Sequence, residues 1–541
     1  MKKLFTMCVL LCSVLAVKAQ WNSNTDENMK VVDHSISITQ SQRMSDGKTY
    51  VVYWQSDPAI PTGYKLRMQI LDQNGNRQLG PYGALITDQI MMNGSVELIK
   101  TTIDASNNLY VAVNGTGGNH DSYIFKITPQ GNSVWPNGIS VGQGDQLSIL
   151  HLSNDDILVA YKPTNETYLK IKRFNSNGQA MWSSPVALMS DDPTKQTVAS
   201  SLFELTNNEF EVVFHKIINS AGDTYLFAQK LDLNGTIMWS TPKQISTKTT
   251  AMFTKYGGVA DGNVVYYGIT GSSGSGFADY LQRINADGTL PWGADGADFD
   301  INQTNLEMDM KIAHTPGSPN IWAIANYSNS SQTAYGEYVQ KFDKNTGARL
   351  FTDNAKQVFP INASSMMHTG NLYLVNDKPY FVVQKNMPPS MFNISLHAVM
   401  LNDNGDFAWP QQYLPLATFA ALKSYVSSLP PVNGQSVIVF NEQKNFDSDK
   451  FAYAQNLVLP TLGTSEVNGN HQNINIYPNP VADVITVKGV KDQKFNIYNL
   501  AGQLVKRGEM KENKINVQDL SKGAYILKIG DQNEGYKLIK K

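Results

Sequence analysis

Leu231-Asp-Leu-Asn-Gly235-Thr-Ile-Met-Trp239 decides the fold, because its pattern recurs seven times along the chain. Each copy is an apolar strand end, a polar turn closing on Gly, and a large apolar residue four positions later. The copies run Leu71…Gly75…Leu79, Ile127…Gly131…Trp135, Phe174…Gly178…Trp182, Leu231…Gly235…Trp239, Ile284…Gly288…Trp292, Phe342…Gly347…Phe351 and Leu401…Gly405…Trp409, with glycines 47 to 59 residues apart. Asn-Gly and Asp-Gly supply positive φ at a hairpin corner at little steric cost. The large residue opens the next strand, where an aromatic buries the most area between neighbouring sheets. Self-similarity at such a period marks stacked supersecondary units, each too small to bury its apolar face alone.

A β-branched and aromatic run precedes each copy, as in Tyr50-Val-Val-Tyr-Trp54, Leu109-Tyr-Val-Ala-Val113 and Phe210-Glu-Val-Val-Phe214. Such runs form buried strands. An eighth run, Val437-Ile-Val-Phe440, leads into Phe451-Ala-Tyr-Ala-Gln-Asn-Leu457 and stops without a Gly turn or a Trp. Trp21, followed by Val31 and Val32, reads as the outer strand this last unit lacks. Supplying it from the N-terminus removes an unpaired edge. The expected fold is all-β: an eight-bladed β-propeller over residues 20–460, then a small C-terminal β-sandwich. Seven blades remain the alternative, because seven copies are complete.

The tail carries a different set of motifs: Ile476-Tyr-Pro-Asn-Pro480, Asp483-Val-Ile-Thr-Val487, Asn496-Ile-Tyr-Asn-Leu-Ala-Gly502, Leu520-Ser-Lys-Gly-Ala-Tyr525 and a terminal Lys540-Lys541. Prolines in the first motif withhold backbone donors and restrict their predecessors, which suits a bend at a first strand. Residues 474–541 resemble the type A C-terminal sorting domain of proteins exported by the type IX secretion system of Bacteroidota. The resemblance rests on Tyr477, Pro478, Asn479, Pro480, Asp483, Gly502, Leu520, Gly523, Tyr525, Lys540 and Lys541. It implies recognition by the secretion machinery at the outer membrane, removal of the tail, and release of the cargo or its attachment to surface lipopolysaccharide. The N-terminus agrees: Lys2-Lys3, an apolar stretch from Leu4 to Val17 and Val17-Lys18-Ala19 read as a signal peptide over residues 1–19. A lipoprotein signal at Val9-Leu-Leu-Cys12 lacks small residues before the cysteine. A polar linker, residues 461–473, separates the two folded parts. No later segment is long and apolar enough to span a bilayer.

Composition narrows the chemistry. Both cysteines, Cys8 and Cys12, fall inside the expected signal, so disulfides and thiol catalysis are excluded from the mature chain. Residues 20–473 hold 29 Lys/Arg against 39 Asp/Glu, net −10, while residues 474–541 hold 12 against 7, net +5. The acidic balance of the large part lacks the footprint of a nucleic-acid binder. The eight histidines show no metal-ligand spacing, so no catalytic, cofactor-binding or metal residue is assigned. Calcium is the one cofactor left open: Asp72-Gln-Asn-Gly75 and Asn402-Asp-Asn-Gly-Asp406 are similar to calcium loops but do not complete the twelve-residue pattern. The turn at Phe342…Gly347…Phe351 resembles the tryptophan-docking repeat of pyrroloquinoline-quinone dehydrogenases, whose adjacent cysteines this chain lacks. The Asp-box of sialidases is also similar, with a Gly-to-aromatic spacing of three instead of four. The sequence therefore suggests a surface or secreted protein that binds a glycan or another protein without catalysis. A glycoside hydrolase or lyase with a central-channel site is the alternative, and a structural envelope protein the second.

Overall fold

The computed structural model describes residues 21–460 and 475–541, apart from residues 95, 97, 191, 220–221, 252–255, 275, 303, 388–389, 445–448, 489–490, 500–502 and 531–535. The expected signal peptide and linker, and Gly502, lie outside the described residues. The chain divides into two compact units, Met1–Leu459 and Pro460–Lys541. Among the described residues no helix forms, and therefore none is long and apolar enough to cross a membrane.

The large unit is an all-β, propeller-like array of antiparallel sheets. Four repeats stand as separate four-stranded sheets: Thr39–Arg43 to Ala84–Thr87, Thr197–Leu205 to Lys243–Gln244, Gly258–Asp261 to Ala297–Asp298, and Leu306–Ala313 to Lys356–Asn362. These are the first, fourth, fifth and sixth in chain order. The other four are fused in pairs by long strands. Ile139–His151 pairs through Ile139–Gln143 with the second repeat and through Gly144–His151 with the third. Leu414–Ser428 likewise closes the seventh repeat and opens the eighth. The eighth is Leu422–Ser428, Gln435–Gln443 and Phe451–Val458, with Met29–Lys30 paired to the last through Met29↔Ala454 and Lys30↔Tyr453.

Cores lie between consecutive repeats. Tyr266 and Leu281 of the fifth pack with Ile321, Ala323 and Phe342 of the sixth. Met29, Val31 and Val32 pack with Val51 and Tyr53 of the first repeat and Val437 and Val439 of the eighth. The repeated Gly and aromatic meet in the same joints. A Cβ at Gly347 would lie 2.8 Å from the Trp292 ring, and one at Gly235, Gly288 or Gly178 would lie 3.2 Å from Trp182, Trp239 or Trp135. The aromatic of one repeat thus sits on the Gly of the next. Leu79 does the same at Gly131, and Phe351 at Gly405. Trp21 is the N-terminal member of the series: a Cβ at Gly75 would lie 2.9 Å from its ring, and its indole N–H donates to Gln73 O at 2.8 Å. It lies outside any strand, so the paired segment is Met29–Lys30 instead of a strand starting at Trp21.

The small unit has two sheets, ordered Asn475–Tyr477, Val484–Lys488, Lys514–Asn516 and Leu504–Glu509, Lys494–Asn499, Gly523–Ile529, Tyr536–Lys540. Val481, Ile485, Val487, Phe495, Ile497, Leu527 and Leu538 fill its core.

Candidate functional site

The first strands of successive repeats line the interior of the large unit. One cavity of about 430 Å³ is bounded by Gln40, Thr101, Ser148, Ser200, Phe203 and Gly258. A second, of about 560 Å³, adds Ala260, Ile312, His314 and Leu374. Their described lining mixes Lys100, Thr101 and Ser148 with the rings of Phe203, Tyr256 and Tyr373 and includes no carboxylate.

Chemistry gathers elsewhere, around Asp309. Strand Leu306–Ala313 slips register between Met308 and Lys311, and Asp309 sits in that bulge at φ 60. Bulges turn a side chain out of the ladder direction, and the Asp309 side chain is 55 % exposed. It borders a cavity of about 480 Å³ with Thr249, Tyr256, Thr270, Phe277 and Met308. Behind it, His368 is buried. Its Nε2 lies 2.9 Å from Asp309 O and 3.5 Å from Asp309 Oδ2, and its Nδ1 lies 3.0 Å from Glu337 Oε1. Lys311 Nζ is 2.5 Å from Asp309 Oδ1.

A second acid group lies beside this relay. Asp309 N–H donates to Thr270 Oγ1, whose hydroxyl donates to buried Asp279. Asp279 N–H donates to Glu307 Oε2 at 2.9 Å, and Tyr327 OH donates to Asp300 Oδ2 at 2.6 Å. Burial would raise the Asp309 carboxyl, but His368 and Lys311 outweigh it and bring it down to about 2. Burial opposes the charge of His368, yet Glu337 and Asp309 raise it to about 9. Burial pushes Asp279 up to about 7; burial, then the Asp300 and Asp279 charges, push Glu307 to about 10. At neutral pH, Asp309 is an anion pinned between two cations, and Glu307 is a neutral acid.

The sequence reading singled out none of these residues. They come from three repeats, and the contacts that join the fifth to the sixth and the sixth to the seventh span 28 to 59 positions. The repeat residues from Trp21 to Gly405 lie in the joints described above, and Trp409 packs with Tyr380, Val382, Ile438 and Phe440 of the seventh and eighth repeats. One further cluster, Asp104, His151 and Asp155, brings a ligand atom of each within 4.8 Å of the others. Its only local trace is the four-residue spacing of His151 and Asp155.

In the small unit the ends of the sorting motif meet. Asn479 Oδ1 accepts from Ile539 N–H at 2.8 Å, Val481 N–H donates to Ile539 O, and Lys541 N–H donates to Val481 O. Val481 and Lys540 form a parallel bridge. Asp483 O accepts from Val517 N–H, three residues before Leu520, and Tyr525 OH donates to Ser521 O near Gly523.

No curated protein matches the chain. Among solved structures, it is similar to a PL25 ulvan lyase bound to -[GlcA(1-4)Rha3S]-, at 12% identity and TM-score 0.41 over 69% of this chain and 97% of that one. It is similar at the same identity and TM-score to the polysaccharide lyase Uly1, over 80% and 99%, and to prolyl oligopeptidase B from Galerina marginata, over 78% and 56%. Likeness at this level carries no argument about activity. Residues 475–541 match the family described as the secretion system C-terminal sorting domain. The chain therefore carries a type IX secretion sorting signal and is exported to the cell surface or beyond.

Proposed function

We propose that this protein is an exported, non-catalytic glycan-binding propeller of eight blades, its last blade completed by the segment at Met29–Lys30. The tail addresses the chain to the secretion machinery, and the cavity beside Asp309 takes the ligand. The observation that carries this reading is the make-up of that cavity. Phe277, 46 % exposed, and Tyr256 offer apolar ring faces on which a sugar can stack. The Asp309 carboxylate, held by His368 and Lys311, accepts from hydroxyl groups. Pockets of this kind bind through apolar walls and a few fixed polar groups.

The same geometry disfavours catalysis. Glycoside hydrolysis uses two carboxyl groups facing the bond, and Asp309 is the only carboxylate among the described lining residues. Held down to about 2, it is a weak base and carries no proton to give. His368 is buried behind it. Support for eight blades comes from the Met29–Lys30 pairing and from Trp21, which meets Gly75 as Trp239 meets Gly288.

The test is a glycan array followed by calorimetry on the mature chain, with turnover assayed on every polymer that binds. Phe277→Ala and Asp309→Asn should each weaken binding by about tenfold, near 1.4 kcal/mol. Depolymerisation of a bound glycan, abolished by Asp309→Asn, would replace this reading with an enzymatic one.

A further inference from the structure

We propose that Asp104, His151 and Asp155 form a divalent-cation site of zinc type that fastens the second repeat to the third. Asp104 follows strand Lys100–Ile103, His151 ends strand Ile139–His151, and Asp155 sits in the next turn at φ 67. His151 Nε2 is 3.4 Å from Asp155 Oδ1, and that nitrogen is buried without a hydrogen-bond partner among the described residues. Asp104 is held from behind by Asn108 N–H at 2.7 Å, Asn108 Nδ2 at 2.8 Å and Tyr110 OH at 3.4 Å. The imidazole lies against the Tyr110 ring, centroids 5.5 Å apart.

A corresponding joint elsewhere in the molecule shows what this spot accepts. Between the fifth and sixth repeats, Asp261 and His314 lie at the ends of two successive first strands, within one residue of the places that Asp104 and His151 take. There the ammonium of Lys344 stands between them, 2.6 Å from Asp261 Oδ2 and 2.9 Å from His314 Nδ1. The surroundings establish which residue corresponds to Lys344. Arg283 Nη1 donates to Lys344 O at 2.7 Å and lies over the Tyr266 ring. Lys126 Nζ lies 3.4 Å from Ser176 O and over the Tyr110 ring. Ser176 therefore takes the place of Lys344, and the third repeat adds a second carboxylate, Asp155.

The balance of charge follows. Where one joint has a carboxylate, an imidazole and an ammonium, the other has two carboxylates, an imidazole and a serine. Among the described residues no lysine or arginine pairs with Asp104 or Asp155 within 4.0 Å, whereas neighbouring turns are tied directly by Ser45–Asn107, Ser153–Glu204 and Thr206–Asn263. One imidazole nitrogen and two carboxylate oxygens are a zinc donor set, and solvent can complete the tetrahedron. The hydrogen bonds from Asn108 and Tyr110 to Asp104 are the outer support such ligands have.

The experiment is a Zn²⁺ titration of the metal-stripped mature chain by calorimetry, with Ca²⁺ and Mg²⁺ in parallel and thermal unfolding with and without zinc. The expected result is one zinc per chain in preference to calcium or magnesium, with a raised Tm. Asp155→Asn, on an exposed turn, and His151→Ala should each weaken that binding by at least about tenfold. Ser176→Lys should supply the cation internally, abolishing zinc binding while the metal-free chain stays folded. Absence of stoichiometric zinc binding, or binding and Tm gain equal in parent, Asp155→Asn and His151→Ala, would overturn the proposal.

Discussion

The joint between the fifth and sixth repeats and the joint between the eighth and first both have apolar cores but differ in the polar groups buried beside them. The former carries Trp292 on Gly347, and beside it a buried group of ionisable side chains: Asp279, Asp300, Glu307 and Tyr327. The latter is chiefly apolar, with Met29, Val31, Val32 and Ile36 inserted between Val51, Tyr53, Val437 and Val439. Its polar ties run from the neutral Thr39 Oγ1 to Asn441 Oδ1 at 2.8 Å to charged ones, Asn28 Nδ2 to Glu442 Oε2 at 2.9 Å and the Arg77–Asp33 ion pair at 2.9 Å, with the latter at the more exposed rim. The difference follows from where the chain comes from. An internal joint is made by strands already held by their own turns, so it tolerates buried acids. The other joins sequence-distant segments, and non-directional apolar burial is what pays for ordering them.

Removing residues 21–33 is the largest test of that contrast. Met29, Val31 and Val32 are buried, and each fully buried side chain is worth roughly 1.5–3 kcal/mol. Loss of all three, of the Met29–Lys30 pairing and of Trp21 on Gly75 should cost about 5 kcal/mol or more. That is comparable to the whole stability of an ordinary domain. Cooperative unfolding should collapse to a much lower temperature or vanish. A deletion variant that melts with the parent would show that this joint is not held by the N-terminal segment.

How much of this was legible depends on how far apart the partners lie in the chain. The turn glycines, the strand runs and the docking aromatics are local signals, and they lead directly to the repeat. The place of Trp21 was legible only in part: it stands alone before the first complete copy and docks on Gly75, but the strand expected at Trp21 is Met29–Lys30. The fused strands Ile139–His151 and Leu414–Ser428 were not, since nothing local marks where one sheet hands over to the next. Nor was the Asp309 site: a β-sheet brings together side chains from different strands, so His368 meets Glu337 across 31 positions and Asp309 across 59. A recurring glutamine was available but unread. Gln69, Gln229 and Gln282 each stand six residues before the repeat Gly, and each amide donates to a backbone carbonyl near the following strand.

The acid-rich joint should be the alkali-sensitive one. Asp279 and Glu307 have folded-state values raised to about 7 and about 10, so each favours folding most at low pH. Their contribution is present below the ordinary carboxylate range and is lost as pH rises through those values. His368, raised to about 9, adds stability below its ordinary range and loses it in the same direction. The Tm of the parent should therefore fall between pH 6 and pH 10. Glu307→Gln keeps an acceptor for Asp279 N–H and a donor for Asp300 while removing the ionisation. It should flatten the alkaline limb and leave the variant more stable than the parent at pH 9. An unchanged limb would move the sensitivity to another joint.

The smallest effect separates complete repeats from the incomplete eighth. Trp239 faces the turn of the fifth repeat, is as buried as Trp409, and donates its indole N–H to Ala286 O at 3.4 Å. Trp409 faces the eighth repeat, whose sequence has no Gly turn, and its buried indole N–H has no acceptor among the described residues. Trp→Phe removes the same atoms at both positions, so the cavity left behind is similar and the hydrogen bond accounts for the difference. A net hydrogen bond is worth about 1 kcal/mol, and relieving an unsatisfied buried donor returns a further 1 kcal/mol or more. Trp239→Phe should therefore cost about 1–2 kcal/mol more than Trp409→Phe in denaturant unfolding. Equal costs would mean that the eighth repeat presents its backbone to Trp409 as the complete repeats do, and the distinction between them would fall.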